Sequence, residues 1–341
     1  MTEQSLIYGV DVHSRSIASF PAEENRSIFI VASYSLKENQ IFLLEADDRW
    51  SRINGKKFSH DKGEVLHLST NPITESLIFS KCSFTPSNDK TISSQVSICE
   101  LNEAYLNVKT HSIFSCPKES HRCLKTEFNS DGSKLGILTD NSIFICDVES
   151  AANGNTMKES FSEKFNGKTS SFVWDKHSKG KIVYVSYEKD LAFVDIRSDK
   201  PETLLSNRLS RITAIDCNPL SPNQISCGSE DGKLTIWDIR NTDKPVLITH
   251  EHQHMIWDIK YNHTYPQLLL SCGSDGRVFL YNCNEKENRI ESDLIVDNDD
   301  SIYSCCWTGN DAFTFASIAY DGKMTASKVR KTLKYKLLSG S

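Results

Sequence analysis

SRITAIDCNPLSPNQISCGSEDGKLTIWDIR (residues 210–240), HMIWDIKYNHTYPQLLLSCGSDGRVFLYNCN (254–284) and DSIYSCCWTGNDAFTFASIAYDGKMTASKVR (300–330) are three consecutive copies of one unit. Their Asp-Gly turns fall at Asp231-Gly232, Asp275-Gly276 and Asp321-Gly322, which are 44 and 46 residues apart. A repeat near that length, built of short β runs and closing in one copy on Trp237-Asp238, marks one blade of a WD-type β-propeller.

Working outward, the unit recurs toward the N-terminus with falling fidelity. LKTEFNSDGSKLGILTDNSIFICDV (124–148) and SFVWDKHSKGKIVYVSYEKDLAFVDIR (171–197) repeat it, with turns at Asp140-Asn141 and Asp190. VLHLSTNPITESLIFSKCSF followed by SSQVSICEL (65–101) carries a longer inner loop, and LIYGVDV, SIFIVASYSL and NQIFLLEADD (6–48) form a first copy. Each copy supplies apolar or alternating runs bounded by Gly, Pro, Asn, Asp and Ser, the pattern of strands, and no sustained helical period appears. The 341 residues divided by a unit of about 45–49 leave room for seven blades. The expected fold is therefore all-β: a single seven-bladed propeller over 1–341, four antiparallel strands per blade. Approximate blades are 6–60, 61–110, 121–160, 168–207, 208–250, 251–297 and 298–341.

The position six residues after the turn Asp, where the repeat favours Trp, holds Trp237, Tyr281, Cys146 and Ser327, and by local alignment Leu44, Cys99 and Val194. One blade offers Asp231 and Trp237 without a His; the next offers His252 and Asp275 with Tyr281; the last keeps Asp321. No blade has the full His, Ser/Thr, Asp, Trp set, so sheet packing is expected to dominate stability and a half-satisfied network to add little. Two polar stretches stand outside the pattern: 149–167, read as a flexible connection, and 284–300, read as an acidic loop ending Asp297-Asn298-Asp299-Asp300. LKYKLL (333–338), with Lys334 and Lys336 alternating against Leu333, Tyr335 and Leu337, is read as the outermost strand of the last blade, its lysines protecting an edge.

A net charge of -6 with 25% charged residues argues against a general polyanion binder, and nucleic acid is not expected as a partner. No run of ~18 apolar residues is present, so no membrane span is expected, and MTEQSLIYGVDVHSRS is not expected to act as a signal peptide. Eleven cysteines, an odd number without a C-x-x-C pair and several inside apolar runs, read as buried reduced thiols of a cytoplasmic protein. Without a secretory route, the sequons at Asn25 and Asn262 carry no weight.

No phosphate-cradling Gly-rich loop, G-x-S-x-G or H-E-x-x-H is present, and neither catalytic residues, a cofactor nor a metal is expected. The histidine cluster His250, His252 and His254 has the ligand type for zinc, but His252 fits the Gly-His position of the repeat and its neighbours a surface connection. Binding is the better-founded expectation. In a propeller the connections between blades and the turns between second and third strands gather on one face. Residues just before the first strand (Arg211, Met255, Ser301) and just before the turn Asp (Glu230, Ser274, Tyr320) should ring the central opening there and face a partner. Trp257 and Tyr303, one place further in, read as core or channel lining.

SLIYGV (5–10), SLKENQI (35–41), YNH (261–263) with QLLL (267–270), SDGRV (274–278), and YDGK (320–323) followed by LKYKLL carry a resemblance over nearly the whole chain. The chain resembles the EARP and GARP complex-interacting protein family of WD-repeat proteins in vesicle traffic; the middle third matches only loosely. The resemblance implies a non-enzymatic partner of two related tethering complexes, one in endosomal recycling and one in endosome-to-Golgi retrograde transport, with a tie to dense-core vesicle cargo sorting. It also implies a monomer within a larger complex, peripheral on endosomes and the trans-Golgi network, with a small GTPase as a further candidate partner. No family motif assigns interface residues. The competing expectation is a substrate receptor of a cullin–RING ubiquitin ligase, because Trp237-Asp238-Ile239-Arg240 fits a W-D-x-R box and Val194-Asp195-Ile196-Arg197 repeats its end. Against it stands the plainer reading that Arg197 and Arg240 pair with a carboxylate on a neighbouring loop.

Overall fold

The strand-like runs pair locally into antiparallel sheets. The computed structural model describes residues 5–35, 40–60, 63–74, 77–86, 92–103, 107–116, 122–148, 156–198, 201–206, 210–284 and 289–339. They form seven four-stranded sheets, one per blade of a seven-bladed propeller. Blade one spans 14–59, blade two 64–115, blade three 123–164, blade four 169–205, blade five 212–249, blade six 256–297 and blade seven 302–328. Six sheets take their strands in chain order from the central channel outward; in blade seven the outermost strand is Leu6–Gly9, from the other end of the chain.

Burial explains the patterns. Second strands such as Gln224–Ser229, Leu268–Gly273 and Thr314–Ala319 are buried along their full length, because both faces pack against neighbouring blades. Outermost strands such as Glu159–Lys164 alternate exposed and half-buried residues. Seven apolar clusters fill the seven gaps between adjacent blades, including blade seven against blade one through Ile318, Met324, Ile17 and Phe29. Trp174 Nε1–H donates to Glu127 O (2.9 Å) and Trp307 Nε1–H to Lys260 O (3.0 Å), tying innermost strands across blades. The turn glycines Gly232 and Gly276 adopt φ +83° and +74°, and a Cβ on either would meet the backbone of the connection into the next blade.

The degenerate alignment is correct in register. Trp237, Tyr281, Cys146, Ser327, Cys99, Val194 and Leu44 oppose Ile225, Leu269, Leu135, Phe315, Phe79, Val183 and Phe29 of the second strands. Among the eleven free cysteines only Cys116 is not buried.

Four expectations need correction. Leu6–Gly9 is not part of a first blade: it pairs with Lys323–Lys328, Leu6 opposite Ala326 and Tyr8 opposite Met324, and closes the ring. With that edge taken, LKYKLL is not a strand. Lys331–Ser339 is a helix whose Leu333 and Leu337, four residues apart, pack on the blade six–seven cluster, while Lys334 Nζ lies 4.6 Å from the Phe313 ring centre and Arg330 pairs with Asp293 (3.1 Å). A period of two is also a period of four, and Leu and Lys are good helix formers. Within 149–167, Glu159–Lys164 is the outermost strand of blade three; 149–155 lie outside the described residues. Within 284–300, Arg289–Asp297 is the outermost strand of blade six; 285–288 lie outside the described residues.

Candidate functional site

The innermost strand of every blade carries the same irregularity: one extra residue near its start, opposite an unbroken second strand. These β-bulges fall at Arg15–Ser16, Leu66, Leu124, Ser170, Thr213, Trp257 and Tyr303. A bulge turns its extra side chain away from the ladder. Seven of them around one axis aim one side chain per blade at the opening. Arg15 and the other six single-residue positions all line a cavity of about 350 Å³ at the mouth of the central channel, with Arg122, Arg211 and Met255 above them.

The six residues expected to face a partner come together as three couples on this face. Glu230 N–H donates to Arg211 O, Ser274 N–H to Met255 O and Tyr320 N–H to Ser301 O, each at 2.9 Å. Arg211 and Met255 line the cavity; Glu230, Ser274, Ser301 and Tyr320 stand outside its lining. Trp257 and Tyr303 do line the channel, their ring centres 4.8 Å apart. The same couple recurs as His13–Tyr34, Arg122–Asp140 and Lys168–Glu188.

Arg15, Tyr34 and Arg122 escaped the sequence reading. The Arg15 guanidinium lies 4.2 Å from the centre of the Tyr34 ring, 4.6 Å from Tyr303 and 5.5 Å from Tyr320, a half-buried cation held among three aromatic rings. His13 stacks on Tyr320 at 4.5 Å, and Arg122 Nη2 donates to the Tyr34 hydroxyl (3.1 Å). A signal for Arg122 was present: HRCLKTEF laid on SRITAIDC puts Arg122 over Arg211. For Arg15 there was none, because Ser14 occupies the place where blades five to seven have Ile212, Ile256 and Ile302.

Below the mouth, the charges are matched. Lys125 lies 3.3 Å from Glu127, Lys260 3.5 Å from Asp258 and Lys176 3.1 Å from Asp216. Asp258 also accepts from Ser304 Oγ (3.1 Å) and Cys305 N–H (3.3 Å). Burial pushes His67 well below its ordinary value, helped by the Lys125 and Lys260 charges, so it sits in the channel as a neutral ring. Burial also lowers Lys125; it opposes the charge on Lys260, but the Asp258, Glu127 and Asp216 carboxylates hold that group above its ordinary value.

Blade six has Tyr281 where the full set has Trp, yet its polar network is satisfied throughout, contrary to the expectation of a half-satisfied network that adds little. His252 Nδ1–H donates to both carboxylate oxygens of Asp275 (3.0 Å each), His252 Nε2 pairs with Ser271 Oγ (2.7 Å), and Ser271 Oγ reaches the Tyr281 hydroxyl (3.2 Å). Tyr281 replaces Trp because its hydroxyl reaches the same serine. The Ser–His–Asp order is that of a nucleophile relay, but Ser271 is 0% and His252 1% exposed, so the chain stiffens a sheet and admits no substrate. In blade five, Asp231 accepts from Ser229 Oγ (2.6 Å) and Lys233 Nζ (2.7 Å), while Trp237 Nε1–H turns to Thr235 Oγ1 (2.9 Å). Asp321 caps its turn through the Lys323 N–H (2.9 Å). The histidine cluster disperses: His250 pairs with Asp231 O (2.9 Å), His252 is in the network and His254 is exposed. Among the described residues no three His, Cys, Asp or Glu side chains are grouped to hold a metal ion.

Arg197 and Arg240 do not reach a neighbouring loop. Each folds back on the Asp of its own box: Arg197 donates to Asp195 at 2.9 and 2.6 Å, Arg240 to Asp238 at 3.0 and 2.6 Å, with 61% and 70% of the side chain exposed. The reason is local: both lie two residues past the Asp, where the turn brings the guanidinium fork onto the carboxylate.

A family profile described as EIPR1 beta-propeller matches residues 2–281. The chain is 26% identical over 386 aligned residues to EARP and GARP complex-interacting protein 1 of Homo sapiens, covering 98% of each chain. It is 28% identical over 368 residues to EARP-interacting protein 1 of Caenorhabditis elegans, covering 98% of this chain and 99% of that one. The WD repeat-containing protein DWA2 of Arabidopsis thaliana is 22% identical over 357 residues, covering 96% and 97%.

Proposed function

The chain belongs to the EIPR1 β-propeller family, and on that premise we propose that it is an adaptor binding the EARP and GARP complexes, which its relatives' names give as their partners. The observation that carries this reading is similarity along 98% of the chain to both the human and the nematode protein. The mouth of the channel, with its aromatic and arginine side chains, is the face we assign to docking, through Arg211, Glu230, Met255, Ser274, Ser301 and Tyr320 together with Arg15, Tyr34 and Arg122. In this reading the protein acts by binding alone, as one propeller within a larger assembly. It supports endosomal recycling, endosome-to-Golgi retrograde transport and dense-core vesicle cargo sorting. Residence on endosomes and the trans-Golgi network comes through partners, a small GTPase being one candidate. Among the described residues no helix is long and apolar enough to cross a membrane.

Affinity purification of the tagged full chain with quantitative mass spectrometry tests the proposal. Enrichment of tethering subunits over a control propeller is expected; their absence from a clean purification removes it. The ligase-receptor alternative requires Arg197 and Arg240 to leave Asp195 and Asp238 for an adaptor, and the double Arg→Ala variant tests it by loss of adaptor co-purification.

A further inference from the structure

We propose that the mouth of the channel is a socket for a short acidic segment of a protein partner, an Asp or Glu side chain followed or preceded by an apolar one. The proposal deepens the adaptor reading and rests on it. Its ground is a surplus of donors. Arg15 Nε, Arg211 Nε and Trp257 Nε1 are buried without a hydrogen-bond acceptor, and all three residues line this one cavity. Guanidinium and indole N–H groups can only donate, so the missing partner is an acceptor. A buried donor left unpaired is costly, and a ligand acceptor would remove that cost.

Charge selects among acceptors. Among the described residues neither Arg15 nor Arg211 lies within 4.0 Å of a carboxylate, and Asp258, the one carboxylate in the cavity lining, is engaged by Lys260, Ser304 and Cys305. The socket is therefore cationic in a chain whose net charge is -6. The three rings around Arg15 hold its guanidinium in place, so little side-chain freedom is lost when an anion arrives.

The source of the anion follows from shape and rim. Trp257, Met255 and Leu66 give the cavity an apolar wall beside the arginines, which suits a carboxylate with an apolar neighbour better than a bare phosphate. Glu64, Glu188 and Glu230 stand on the rim outside the cavity lining. They would repel a broad anionic surface such as a bilayer, but a single extended chain can pass between them.

The test pans a random-peptide display library on the full-length protein and on Arg211→Glu, Arg15→Gln and Trp257→Phe variants, each first checked for a native thermal transition. On wild type we expect Asp or Glu beside Leu, Phe or Trp. Binding of the selected peptides should fall ~10-fold or more on Glu→Gln or Asp→Asn exchange in the peptide or on Arg211→Glu, and about threefold on Trp257→Phe, which keeps an aromatic ring and removes the N–H donor. Arg211 is half-exposed on the rim, so its variant carries the test even where Arg15→Gln fails to fold. No acidic enrichment, or equal binding to Arg211→Glu, overturns the proposal. So does tight binding of inositol hexakisphosphate, run as the phosphate probe, without acidic enrichment. Co-purification of tethering subunits is scored separately. Its absence refutes the adaptor reading and leaves an acid-selective socket standing; its presence beside an unselective library result refutes the socket alone.

Discussion

Replacing His252 by Ala should destabilise blade six far more than one lost hydrogen bond would. The imidazole is 1% exposed and holds the Asp275 carboxylate, itself 3% exposed at the side chain, on one side and Ser271 on the other. Removing one partner of a buried carboxylate costs ~3–5 kcal/mol, because the remaining charge is stranded away from water. Asp275 keeps the N–H groups of Gln253 (3.0 Å) and Arg277 (3.3 Å), so the low end, about 3 kcal/mol, is expected. Tyr281→Phe removes only the hydroxyl at 3.2 Å from Ser271 and should cost about 1 kcal/mol. Introducing Asp275→Asn into His252→Ala removes the stranded charge, so the cycle should show a coupling of about 2 kcal/mol rather than additivity. Denaturant midpoints give the sizes, and hydrogen exchange across 256–297 should place the loss in blade six. A His252→Ala cost no greater than that of Tyr281→Phe, or an additive cycle, would refute the reasoning.

Deleting residues 1–9 should lower stability by roughly 2–4 kcal/mol, from the half-buried Leu6 and Tyr8 and a four-residue ladder, and should expose the edge of Lys323–Lys328; an unchanged melting temperature and a monomeric chromatogram would contradict ring closure by that strand. Gly276→Ala should cost about 1–3 kcal/mol because φ is +74° and the Asn298 carbonyl leaves no room for a Cβ, whereas Gly9→Ala, whose nearest contact would be 4.0 Å away, should stay within about 0.5 kcal/mol. Stability should also fall in acid. Burial opposes ionisation of Asp275 and Asp231, but hydrogen bonds from His252 and Lys233 hold both carboxyls below their ordinary value. The unfolded chain thus binds more protons near the ordinary carboxylate range. The contribution is complete above that range and lost as pH falls through the lower folded values; Asp275→Asn should flatten this limb of a stability–pH curve.

The fold was legible where the repeat kept its Asp-Gly turns, since those residues are demanded by a backbone that only glycine adopts easily and by the next blade pressing on the turn. It was least legible at the ends. Nothing local to Leu6–Gly9 says that its partner is Lys323–Lys328, because closure of a ring is a long-range pairing. The same closure decided LKYKLL: its alternation fitted a strand and a helix alike, and only the occupied edge excluded the strand. The polar network is hard to see in the sequence because Tyr281 departs from the repeat's Trp, yet its hydroxyl meets Ser271. At the site, Arg211, Met255, Trp257 and Tyr303 were placed by register with intact copies, whereas Arg15 and Tyr34 lie in a copy whose leading aliphatic is a serine. The surplus of donors was invisible in principle, since it depends on which partners are missing once seven strands converge.

Crosslinking mass spectrometry of the native complex tests the central claim, docking through the channel mouth, most directly. Lys168 and Lys233 are exposed on the mouth face; Lys179 and Lys244 are exposed on connections of the opposite face. The account predicts that crosslinks to tethering subunits concentrate at Lys168 and Lys233. Crosslinks concentrated at Lys179 and Lys244, or none to a tethering subunit, would contradict it.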